Sequence, residues 1–154
     1  MEYKVQVQKH FLYPSTIYFS KDPCHISTIL GSCIAVCLYD PILKRGAMNH
    51  YMMPLWNGNG LASPNYGNIA IEKMIKNMIQ KGSIKHKLIA KVFGGANHTN
   101  STFNIGKRNI QMALDTLKQN NIKVVSKSVG GELGRKIIFN TSTSEVLMKL
   151  IKVI

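Results

Sequence analysis

The chain has 154 residues, 45% of them hydrophobic and 18% charged, which is the make-up of a folded globular protein and excludes a disordered one. One domain, residues 1–154, is expected; no apolar run approaches the ~20 residues of a membrane span, and the opening residues lack a secretory layout, so a cytoplasmic location without membrane insertion follows. The net charge of +13, with 13 of the 20 basic residues between positions 73 and 136, either draws acidic partners or reflects compositional drift towards Lys, while cations not interleaved with aromatics argue against nucleic acid.

Along the chain, Tyr3, Val5 and Val7 alternate with Lys4, Gln6 and Gln8, the period of a half-buried strand. A second extended piece is expected over 16–19. Residues 28–38 are mostly small and apolar, as in a strand buried on both faces, with Gly31 as a break. Residues 47–53 follow as its antiparallel partner, behind the turn-forming YDPILKRG. The Gly- and Asn-rich stretch 56–62 reads as a loop, and Ser63-Pro64 then supplies an N-cap and a first-turn proline. Ile71, Met74, Ile75, Met78 and Ile79 mark one face of a helix ending near Gly82. A strand over 88–93 stops at Gly94-Gly95, and a second helix fits 106–120 with Ile110, Ala113, Leu114 and Leu117 inward. Strands over 123–128, 136–139 and 146–153 complete the chain. Two helices against seven or eight strands, not in strict alternation, predict a mixed α/β or α+β layered fold.

Cys24, Cys33 and Cys37 form an odd set without an export signal and are expected as reduced thiols. On an intact strand, Cys33 and Cys37 share a face about 13 Å apart, too far for a disulfide or a shared metal. Together with Cys24 and His25 they also lack the paired short-gap spacing of a zinc site, so no metal is expected. Cys37, within AVCLY, reads as core.

The stop at Gly31-Ser32-Cys33 reads differently. Glycine there lets the backbone turn and frees N–H groups near Ser32 and Cys33 from ladder pairing, and such groups build oxyanion holes. His50, folded back by the return strand, is the nearest downstream base for a Cys33 thiolate. Ser27 or Thr28 offers a hydroxyl that orients the imidazole or binds substrate. An inert, buried Cys33 is the competing reading. Gly31, Gly94 and Gly95 are places where a substrate backbone approaches closely, or plain turn glycines, as are Gly130-Gly131. His98 lines the same cleft or belongs to a solvated loop. No phosphate-cradle motif is present.

The blocks LGSCIAVCLYDP (30–41), GAMNHYMMP (46–54), GGA (94–96), NIGKRN (104–109) and GGELGRKIIFN (130–140) occur in one order. Together they resemble the chemoreceptor glutamine deamidase family, CheD, of bacterial and archaeal chemotaxis, from about residue 4 to the C-terminus. The resemblance implies a protein-glutamine deamidase with a Cys-His-Thr arrangement on a layered α/β/β sandwich, needing neither metal nor organic cofactor. It places the nucleophile on Cys33, the histidine on His50 and the threonine, in an ungapped match, on Ser27, with Thr28 the neighbour that a one-residue shift would substitute. A thiolate–imidazolium pair of Cys33 and His50 is expected as the reactive form. The implied substrate is a glutamine of methyl-accepting chemotaxis receptors, whose Glu- and Gln-rich helical bundles suit a cationic enzyme. A CheC-type phosphatase of CheY is the implied second partner. Ser128 and Asn68 depart from the acidic residues common at those places, and NHTNST departs from the stretch usual after GGA. A non-catalytic adaptor binding the same partners is the alternative, and a nucleic-acid module stands last.

Overall fold

The computed structural model describes residues 6–97 and 104–152. Tyr3, Val5 and His98 lie outside the described residues. The strands are β1 (Gln8–Phe11), β2 (Thr16–Ser20), β3 (Cys24–Leu30), β4 (Ile34–Asp40), β5 (Arg45–His50), β6 (Ile89–Gly94), β7 (Lys123–Val129), β8 (Gly134–Asn140) and β9 (Val146–Ile151). The helices are α1 (Gly67–Gln80), between β5 and β6, and α2 (Ile105–Gln119), between β6 and β7.

The strands sort into two mixed sheets, one of four strands in the order β1-β3-β8-β9 and one of five in the order β2-β5-β4-β6-β7. The all-buried run of β4 has a direct cause. Ile34, Val36 and Leu38 pack against α1 and α2 on one face, while Ala35, Cys37 and Tyr39 pack against the four-stranded sheet on the other. A central strand in the middle layer of an α/β/β sandwich has no solvent face, so its sequence loses the apolar–polar alternation. In β3 the alternation survives: Cys24, Ile26, Thr28 and Leu30 point inward and are buried, whereas His25, Ser27 and Ile29 face outward. Its outer sheet face is open to water, as antiparallel sheets allow.

Two expectations are corrected. The single strand over 28–38 is two strands in different sheets, because the chain leaves one layer at Gly31-Ser32-Cys33 and enters the next. The helix expected to start at Ser63-Pro64 starts at Gly67. Residues 63–66 instead form a turn closed by Tyr66 N–H on Ser63 O at 3.2 Å, and Asn65 O accepts from the N–H groups of both Met52 and Met53 at 3.0 Å. Competition from these tertiary bonds keeps the first predicted turn out of the helix.

The hairpin between β4 and β5 is anchored by Asp40. Its carboxylate accepts from Ile42 N–H at 2.9 Å, Leu43 N–H at 3.0 Å and the Ser83 hydroxyl at 2.6 Å. That turn returns β5 along β4 in the register Cys37 to Met48, continued by a bridge between Ile34 and Tyr51.

Candidate active site

The register decides which side chains meet. Cys37 opposite Met48 and Ile34 opposite Tyr51 set His50 across from Ala35. Cys33 lies two residues before Ala35, so strand periodicity puts the thiol and the imidazole on the same, inter-sheet face as diagonal neighbours. The Cα atoms of such neighbours are roughly 7–8 Å apart, within reach of their side chains. Cys33 is half-buried and packs at the edge of the inter-sheet core, and His50 is buried.

The turn carrying Cys33 is held by its carbonyls. Gly31 O accepts from Ala96 N–H at 2.9 Å, Ser32 O from Asn109 Nδ2 at 2.9 Å, and Cys33 O from Gly95 N–H at 2.9 Å. Among the described residues, the N–H groups of Ser32 and Cys33 donate to no main-chain carbonyl. A rigid turn with satisfied acceptors and spare donors beside a thiol has the make-up of an oxyanion site.

Of the two hydroxyls that the sequence offers, Thr28 is the one that meets His50. The buried Thr28 Oγ1 lies 2.7 Å from His50 Nδ1 and donates to Leu12 O at 2.8 Å. Ser27 points to the other side of β3, into a shallow groove with Lys9, His25, Ile138 and Glu145 on the open face of the sheet. The reason is the two-residue period of a strand: the side chain next in sequence to one facing His50 faces away from it.

The hydrogen-bond network also fixes the tautomer. A threonine hydroxyl has one proton, and Leu12 O is purely an acceptor, so that proton goes to Leu12. His50 must then donate Nδ1–H to Thr28 Oγ1, which leaves Nε2 with a free lone pair. Nε2 is buried and has no hydrogen-bond partner among the described residues. Burial lowers the imidazole from 6.5 to about 4 and pushes the Cys33 thiol up, its own backbone N–H opposing that rise. Both shifts favour the uncharged forms. Burial of both groups thus works against the expected thiolate–imidazolium pair while the cleft is empty.

Of Gly31, Gly94 and Gly95, only Gly31 has open space where a Cβ would stand. Gly94 and Gly95 are buried and serve the turn from behind. A Cβ on Gly94, whose φ is +113°, would come 2.1 Å from Cys33 O, and one on Gly95 would meet Ile110 at 2.4 Å. Arg135 braces the same place, donating to Gly94 O at 3.2 Å, Gly130 O at 2.9 Å and Ser128 Oγ at 3.1 Å. Ser128 thus gives the guanidinium a neutral acceptor at the departure noted in the sequence. Cys24 and Cys37 are both buried in the inter-sheet core, whereas His25 faces outward, so the cysteines and histidine of the rejected zinc reading lie on opposite faces of β3. Sequence reasoning missed Leu12, whose contribution is a carbonyl and has no side-chain signature, and it assigned Asn109 no role although NIGKRN ends on it. The parity of Thr28 with Ile26 and Leu30 was the signal that separates it from Ser27.

Residues 52–150 match the family model described as CheD chemotactic sensory transduction. Pairwise similarity covers more of the chain. It is 47% identical over 145 residues to a protein of Trichlorobacter lovleyi, spanning 92% of this chain and 90% of that one. It is 42% identical over 154 residues to a protein of Sulfurimonas denitrificans, spanning 96% and 97%. Against a protein of Anaeromyxobacter dehalogenans the identity is 38% over 133 residues, spanning 84% and 77%. The first two carry the name "Probable chemoreceptor glutamine deamidase CheD", and the third is named as a CheD 1 of the same description.

Proposed function

The chain belongs to the CheD family, and from that membership we propose that it deamidates glutamine side chains of chemoreceptors, with Cys33 as nucleophile, His50 as base and Thr28 as the group that orients it. The observation that carries the reading is the buried Thr28–His50 contact, which leaves Nε2 unprotonated on the face it shares with Cys33.

A receptor glutamine enters over the turn at 31–33. Nε2 of His50 takes the thiol proton as Cys33 Sγ bonds to the carboxamide carbon. The N–H groups of Ser32 and Cys33 receive the developing oxyanion. His50 then gives its proton to the amide nitrogen, the C–N bond breaks, and ammonia leaves a thioester on Cys33. Water, deprotonated by His50, attacks that thioester and frees glutamate with the thiol restored. Thr28 Oγ1 stabilises the transient imidazolium by accepting Nδ1–H.

The net charge of +13 favours an acidic receptor segment as substrate. We place the reaction in the cytoplasm, at the helical adaptation regions of methyl-accepting receptors; among the described residues no helix is long and apolar enough to cross a membrane. A CheC-type phosphatase of CheY is the proposed second partner, docking over the same cleft. The test is mass spectrometry of receptor co-expressed with the wild type or with Cys33→Ala. Glutamine-to-glutamate conversion is expected only with the wild type. Conversion that persists without the thiol overturns the reading, and receptor binding without any conversion by the wild type favours the adaptor.

A further inference from the structure

Asn109 is fully buried on α2, where a helix facing the core ordinarily presents an apolar side chain. Its Nδ2 donates to two carbonyls from different segments, Ser32 O at 2.9 Å and Met52 O at 3.0 Å. Ser32 immediately precedes Cys33, and Met52 follows His50 by two residues. The Asn109 carbonyl accepts from the Tyr51 hydroxyl, so the helix is also tied to the residue after His50. Oδ1 has no partner among the described residues. An amide with both donor positions used and its acceptor bare is placed for its protons.

Those protons have a directional effect. A trans peptide is planar, and its C=O and N–H point in opposite directions. Drawing Ser32 O towards α2 therefore turns the Cys33 N–H away from α2, to the open side of the turn. Ala96 N–H does the same for the Ser32 N–H through Gly31 O. The second proton, on Met52 O, fixes the orientation of the Asn109 amide itself.

We propose that Asn109 is a positioning residue for deamidation, presenting the Cys33 N–H to the oxyanion. The proposal rests on the Cys33–His50 reading above. No apolar residue of similar size replaces it, because Ser32 O and Met52 O would lose their shared donor.

The test uses Asn109→Ala and Asn109→Asp with two reactions. The first is ammonia release from a purified receptor cytoplasmic fragment carrying glutamine. The second is alkylation of Cys33 by iodoacetamide, which displaces iodide at a saturated carbon, builds no oxyanion, and reads only the sulfur and its base. Turnover is expected to fall about 10- to 100-fold, with KM for the fragment and the alkylation rate each within about twofold of the wild type. Unchanged turnover overturns the proposal, as does a parallel fall in alkylation, which marks a loosened fold. Should neither variant fold, Tyr51→Phe keeps the ring while releasing the Asn109 main chain. It is expected to slow turnover several-fold at unchanged alkylation, and full turnover overturns the proposal. Failure of the underlying reading looks different: Cys33→Ala would then still release ammonia.

Discussion

Replacing Thr28 by valine removes one oxygen and keeps the β-branched shape in β3. In the wild type that oxygen gives its proton to Leu12 O at 2.8 Å and accepts from His50 Nδ1 at 2.7 Å. Without it the buried Nδ1–H has no acceptor, which costs about 1–3 kcal/mol. The Nδ1–H tautomer loses its advantage, and a proton carried on Nε2 instead removes the lone pair that Cys33 needs. Holding the productive tautomer then carries the same free energy, so turnover falls by roughly 5- to 150-fold. The unpaired Leu12 carbonyl and ring N–H also lower the unfolding free energy by about 1–3 kcal/mol. The assay is ammonia release from a receptor fragment, run on Thr28→Val, Thr28→Ser and Ser27→Ala well below their melting temperatures. Thr28→Ser keeps the oxygen and is expected to retain most turnover, and Ser27→Ala, altering only the open face, to stay within about twofold. Equal losses in Ser27→Ala and Thr28→Val, or full activity in Thr28→Val, would refute the reasoning.

The low imidazole pKa has two further readouts. Because His50 stays neutral down to about 4, the acid limb of kcat/KM is expected near there; a limb centred at 6.5 would show an ordinary histidine and contradict the burial argument. Between pH 6.5 and about 4 the unfolded chain binds a proton that folded His50 refuses, so stability present above 6.5 is lost as pH falls through that window. The loss is roughly 3 kcal/mol, read as the difference between urea unfolding of the wild type and of His50→Gln across the two pH values. Gly94→Ala combines a φ of +113° with a Cβ 2.1 Å from Cys33 O. It is expected to cost more than about 2 kcal/mol in thermal unfolding, whereas Gly31→Ala, facing open space, changes stability by less than about 0.5 kcal/mol. With a net charge of +13, deamidation of an acidic receptor fragment should slow as salt rises from about 0.01 to 0.1 M, where the Debye length drops from about 30 to 10 Å. A rate indifferent to salt removes charge from the account of substrate recruitment.

Much of the fold is legible in the sequence because its signals are local. The apolar spacing of α1 and the glycines after β6 need no tertiary knowledge. The layered arrangement follows from counting two helices against many short strands. The start of α1 is not legible at Ser63-Pro64, since the capping residues there are taken by a turn that binds Met52 and Met53 from a distant segment. Nor does the sequence separate β3 from β4. Gly31 marks a break, but whether the next strand stays in the sheet or changes layer depends on what packs behind it. At the site, the nearness of Cys33 and His50 follows from a hairpin, which is again local. The choice between Ser27 and Thr28 depends on strand parity, and the pKa shifts of the pair depend on burial between sheets, which no spacing reports. Asn109 comes from 76 positions downstream of Cys33, the difference 109 − 33, and only the packed helix brings its amide to the turn.

The burial that raises the Cys33 thiol also bears on a hazard that ionised cysteines face. Peroxides attack the thiolate, and the rate of damage follows the ionised fraction. Burial lowers the ionised fraction of Cys33 in the empty cleft, and with it the rate of sulfenic acid formation.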